Sequence, residues 1–115
     1  MKYLCLVYGE ESALRECPDR DCLAFDQGVR ASGHCVASEA LESVAAATTV
    51  RVRNGKVPTT DGPFAETKEQ LAGFYAIEAK DLDEAIAFAS RIPPARYGTV
   101  EIRPLRTLVV EGNTR

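Results

Sequence analysis

The chain has 115 residues, 45% apolar and 27% charged, which is the size and composition of one globular domain, residues 1–115. Its formal net charge of −3 argues against a nucleic-acid partner, because phosphate-backbone binders carry a basic face. No apolar run approaches a membrane span, so no membrane partner is expected. The Met1–Tyr8 stretch is too short for a signal peptide, with no small-residue cleavage site after it; it reads as the first strand of a cytoplasmic protein.

In chain order, residues 2–8 alternate with apolar side chains on both faces, the pattern of a central strand. Residues 12–16 can make a helical turn, and Pro18 either breaks it or opens the next helix. Cys22, Phe25 and Val29 recur at helical spacing and predict a helix over 19–32, stopped by Gly33. Residues 34–41 predict a second strand, with His34, Val36, Ser38 and Ala40 on one face and Cys35, Ala37, Glu39 and Leu41 on the other. A hairpin follows, turning at Asn54-Gly55, where both positions must tolerate positive φ. After Asp61-Gly62-Pro63-Phe64, residues 65–70 read as a helical turn.

Residues 71–79 form another interior strand, with Leu71, Gly73, Tyr75 and Ile77 on one face and Ala72, Phe74 and Ala76 on the other. Asp81 and Glu84 have the spacing of a capping box. The helix they open should bury Leu82, Ala85, Ile86, Ala89 and Ile92, and Pro93-Pro94 ends it. The last strand spans about 99–105, with Val100 and Ile102 inward and Glu101 and Arg103 outward; 106–115 is a tail.

The order β-α-β, hairpin, β-α-β predicts an α+β, ferredoxin-like protomer with an antiparallel sheet and its helices on one face. The other face carries Leu4, Leu6 and Phe74, too apolar for water, so a second copy is the expected cover and a homodimer is predicted. The four cysteines, Cys5, Cys17, Cys22 and Cys35, include no C-x-x-C pair and there is one histidine. Reduced apolar thiols are therefore expected, with no metal and no cofactor.

With these elements placed, "TTDGPFAETKEQLAGFY", supported by "MKYLCLVY" and "SGHCVASEAL", resembles the DGPF-type branch of the YCII-related family over nearly the whole chain. The resemblance implies a dimeric α/β-barrel built from ferredoxin-like protomers. It implies a His–Asp pair in a cleft, as is thought for YCII-related proteins, one relative of which is a dehydrochlorinase acting on a hydroxylated aromatic ring. Some DGPF-type members occur beside sigma factors, which implies a sigma factor as a partner in a regulatory setting. The segment from Glu10 to Gly33 is shorter than the family pattern, implying a truncated first helix.

The site residues follow from the residues and the resemblance together. Gly62 and Pro63 restrict the backbone beside Asp61, so its carboxylate is aimed either at a substrate or at its own turn. His34, the sole histidine, titrates near neutral pH and is the partner the resemblance implies for Asp61; the other reading is an edge histidine without a task. Tyr8, Phe64, Glu66 and Arg103 are candidates for binding a substrate, with the alternatives that Tyr8 is core with a wet tip, Phe64 pins the loop to the core, and Glu66 and Arg103 are solvated surface charges. Two functions stay open at this point. One is a metal-independent enzyme performing His34/Asp61 proton transfer on a small organic molecule, an elimination or a hydrolysis. The other is a non-catalytic dimer that binds a small ligand or a sigma factor.

Overall fold

The computed structural model describes residues 1–110 and, for the backbone alone, residues 113–114. Strand β1 (Lys2–Gly9) is followed by a short α1 (Glu11–Leu14), α2 (Asp19–Ala31) and β2 (Cys35–Ala40). A hairpin of β3 (Thr48–Val50) and β4 (Thr59–Asp61) precedes β5 (Gln70–Glu78), α3 (Leu82–Ala89) and β6 (Thr99–Pro104). The main sheet has the order β2-β5-β1-β6, antiparallel throughout, which is the α+β ferredoxin-like arrangement. In the expected tail, β7 (Val109–Val110) pairs with β8 (Asn113–Thr114); residues 111, 112 and 115 lie outside the described set.

The helices cover one face of the sheet. Tyr3, Cys5 and Val7 of β1 and Tyr75 and Ile77 of β5 are buried beneath Val29 of α2 and Ala85, Phe88 and Ala89 of α3. Phe25, Tyr75 and Phe88 meet edge-on or tilted, with centroids 5.5–5.9 Å apart, and each such pair adds about 0.5–1.5 kcal/mol beyond its buried area. Asp81 caps α3 by accepting from the Glu84 N–H at 2.9 Å, while Glu84 accepts from the Lys80 N–H at 3.2 Å. The buried stripe of α3 is rotated from the expected one. Phe88 enters the aromatic cluster, and Leu82 and Ile86 are left half exposed, at 50% and 49%.

Two bulges change which residues share a face. Between Cys35 and Ala37 the β2 register slips, so Cys35 opposes Ile77 while Ser38 opposes Tyr75. Cys35 and Ser38 are consequently both buried on the helix side, and Val36, expected beside Ser38, is exposed. One extra residue in a strand reverses every face beyond it. The second slip sets Val7 opposite Gly73 but Tyr8 opposite Leu71, which moves Leu71 off the face predicted for it.

The helix expected over 19–32 forms as α2, which runs for thirteen residues. Pro18 is its N-cap, with Asp19 and Asp21 in the first turn, where negative charge suits the helix dipole. The expected helical turn at 65–70 does not form. The Thr67 hydroxyl donates to the Glu69 carbonyl and the Gln70 amide to the Thr67 carbonyl, and Gln70 already belongs to β5. The close approach of β1 to the start of β6 requires Gly98, where a Cβ would stand 2.0 Å from the Tyr8 carbonyl oxygen.

Candidate functional site

The Asp-Gly-Pro-Phe corner ends the hairpin as its sequence demands. Asn54 and Gly55 both take positive φ, 52° and 75°, and Arg53 and Lys56 exchange backbone hydrogen bonds at 2.9 Å around them. β4 ends at Asp61, opposite Thr48. Gly62 has φ +95°, donates its N–H to the Ala47 carbonyl at 2.7 Å, and accepts from the Thr49 hydroxyl at 2.8 Å. Gly62 and Thr49 therefore lock the corner. The Asp61 carboxylate is exposed and accepts no hydrogen bond among the described residues. Phe64 does not pin the loop to the core: it is 80% exposed, at the rim of a cavity.

His34 lies elsewhere. Its carbonyl accepts from the Glu78 N–H, which places it beside the start of β1, where Lys2 opposes Glu78. Its ring Nδ1 is 3.2 Å from the Ser32 hydroxyl. The hairpin carrying Asp61 departs from the other end of β2, and the six residues of β2 cover roughly 20 Å at the usual rise. The chain thus sets His34 and Asp61 at opposite ends of β2 and does not assemble the expected pair within itself. Glu66 and Arg103 are exposed and line neither of the two cavities described below.

Both cavities open at the hairpin end of the sheet. The larger, about 720 Å³, is walled by Tyr8, Val44, Ala46, Pro63, Phe64 and Leu71 among others, so Tyr8 and Phe64 do meet in one place. The Ala72 bulge brings this about by setting Leu71 opposite Tyr8. The smaller, about 360 Å³, lies on the helix side, against Cys17, Cys22, Asp26, Gly73 and Tyr75. Leu41, Val44 and Leu71 border both, so the two compartments adjoin along that wall. Glu11 holds that wall by accepting from the Ser43 hydroxyl at 3.2 Å and the Val44 N–H at 3.3 Å.

A polar seam on α2 furnishes the smaller compartment. Cys22, Asp26 and Arg30 fall at i, i+4, i+8 on one side of the helix, beside the packed Phe25 and Val29. The Cys22 thiol lies 3.8 Å from that of Cys17. The Tyr75 hydroxyl donates to Asp26 Oδ1. Arg30 donates to the Ser38 carbonyl at 2.8 Å and hydroxyl at 2.9 Å, which satisfies the one buried polar side chain of β2. Burial, and after it the bond to Asp26, pushes the Tyr75 hydroxyl above the usual tyrosine range, so it stays protonated as a donor. Burial and then the contact with Cys17 push the Cys22 thiol up to about 12, so it is a neutral thiol near pH 7 and not a nucleophile.

Asp26 and Tyr75 were not among the residues expected to form a site. The available signal was an Asp–Arg pair on the core-facing side of a helix, across from a tyrosine whose buried hydroxyl needed a partner. Among the described residues no group of three or more His, Cys, Asp or Glu side chains is placed to hold a metal ion. Nor is any described helix long and apolar enough to cross a membrane.

The fold and the two compartments define an α+β, ferredoxin-like protein with a pocketed sheet end. The sequence matches the YCII-related domain over residues 1–109, and the chain belongs to the YCII-related family. It is also 39% identical over 114 residues to an uncharacterised protein of Rhizobium meliloti (strain 1021), across 91% of this chain and 92% of that protein.

Proposed function

We propose that the protein is a homodimer that binds a small organic molecule at the hairpin end of its sheet. The observation that carries the reading is the cavity of about 720 Å³ whose walls include Tyr8, Val44, Pro63, Phe64 and Leu71, set beside a smaller compartment that holds Asp26. Its volume and apolar lining suit a ring or short hydrocarbon body. Phe64 is an exposed aromatic side chain held at the rim by a stiff corner, and a ligand would give it something to cover. Proton transfer through His34 and Asp61 has no support inside one protomer, so ligand binding is the better-supported of the two functions.

The dimer is proposed from the sheet's other face. Leu4, Leu6, Phe74 and Ala76 form a half-buried apolar patch there, flanked by Glu39, Glu101 and Arg103 at paired positions. A second sheet laid on it removes that surface from water.

Titration with N-phenyl-1-naphthylamine, a neutral dye that brightens in apolar surroundings, tests the binding reading. Saturable binding at one dye per protomer is expected. Phe64→Ala should weaken it about three- to tenfold, for the loss of a partly covering ring. Ala46→Trp, which narrows the cavity, should weaken it further. Dye binding that both variants leave unchanged would refute this location for the site.

A further inference from the structure

We propose that Asp26, oriented by Tyr75, is the anchor for a hydrogen-bond-donating head group, an ammonium or a hydroxyl, on the ligand bound at the hairpin end. The inference rests on the binding reading above and names the chemistry of its polar end. Tyr75 is 7% exposed, and its ring is held between Phe25 and Phe88, so its hydroxyl has a fixed direction. That hydroxyl occupies Asp26 Oδ1. The other carboxylate oxygen accepts nothing among the described residues, and Asp26 lines the smaller compartment. Asp26 is thus half-buried, ionisable, restrained by a rigid neighbour and left with one open acceptor, the arrangement that recognises a donor.

The surroundings select against an anion. Asp19 and Glu42 also line the compartment, and Arg15 is the cationic side chain that does so among the described residues. A carboxylate or phosphate head placed there would meet like charge from these exposed groups, weakened by solvent but of unfavourable sign. An ammonium would gain from the same field, and a hydroxyl would need only the open oxygen. Leu41, Val44 and Leu71 line both compartments, so the proposed ligand lays its apolar body along them in the larger one and extends its head group to Asp26 in the smaller.

Three probes with one ring body distinguish the head groups: benzylamine, benzyl alcohol and benzoate, each titrated calorimetrically into the intact protein. The ammonium or the alcohol should bind at least tenfold more tightly than benzoate, and whichever binds better identifies the donor. Asp26→Asn should weaken the ammonium about tenfold and the alcohol less. Tyr75→Phe should weaken both a few-fold by freeing the carboxylate, and it carries the comparison if Asp26→Asn does not fold. Neither variant should alter binding of the naphthylamine dye in the larger cavity. Benzoate binding as tightly as the other two overturns the proposal. So does an unchanged ammonium affinity in both variants while the dye still binds, an outcome that leaves the larger cavity intact as a site. Wild-type protein that takes neither the dye nor any probe overturns the binding reading itself.

Discussion

Gly98→Ala and Gly28→Ala are the same chemical change with opposite expected signs. At Gly98 the new methyl carbon would sit 2.0 Å from the Tyr8 carbonyl oxygen, 3.0 Å from Gly9 Cα and 3.1 Å from the Tyr8 carbonyl carbon. All three are backbone atoms of β1, next to the point where Tyr8 opposes Thr99. No rotamer relieves the contact. The strands must separate by about 1 Å at their junction, and overpacking of this kind costs roughly 1–3 kcal/mol, more where only backbone can yield. We expect a loss of about 3 kcal/mol, which for a domain of this size lowers the melting temperature by about 10–20 °C. At Gly28, inside α2, a Cβ meets nothing within 4 Å. Alanine there should stabilise by roughly 0.5–1 kcal/mol through helix propensity and a less free unfolded chain. Urea unfolding of both variants against wild type gives the two values. A Gly98→Ala loss below about 1 kcal/mol would refute the claim that the β1–β6 junction depends on bare backbone.

Stability should also fall in alkali. Burial, and then the charge of Cys35, hold the Cys5 thiol up to about 11 from an ordinary value of 9.0. Above pH 9 the unfolded chain releases this proton while the fold keeps it, so stability is full below pH 9 and is lost as pH rises toward 11. A melting temperature that stays flat from pH 8 to 11 would contradict this, and Cys5→Ala should flatten part of the slope. For the proposed dimer, Leu6→Asp places a charge between Phe74 and Glu101 on the uncovered sheet face and should halve the sedimentation mass of the wild type. A wild-type protein that already sediments at 12.5 kDa would remove the dimer.

Local signals in the sequence were enough for the elements and their order. Asn54-Gly55 turned as its φ requirements dictate, Gly33 took positive φ beyond α2, and Asp81 capped α3, because each of these depends on a few neighbouring residues. The alternation in β1 and β5 placed both strands in the interior and implied the ferredoxin-like sheet, and the DGPF block pointed to the YCII-related family that the comparison then matched. The errors came where one strand meets another. Alternation alone does not show an extra residue at Val36 or Ala72, since a bulge is chosen by the partner strand. The α3 stripe rotated because Phe88 found Phe25 and Tyr75, a contact that links three separate elements.

The candidate site divides in the same way. Tyr8 and Phe64 each stand at the end of a segment whose direction the sequence shows, and both line the larger cavity. The family resemblance joined His34 to Asp61, and the length of β2 sets them apart within the chain. Asp26 and Tyr75, 49 positions apart, became partners only when α2 packed across β5. Hydrophobic period and turn chemistry are properties of a short stretch of chain, so the sequence by itself determined the elements. Which polar groups meet across a packed interface depends on how those stretches lie against one another, and only the tertiary structure decided that.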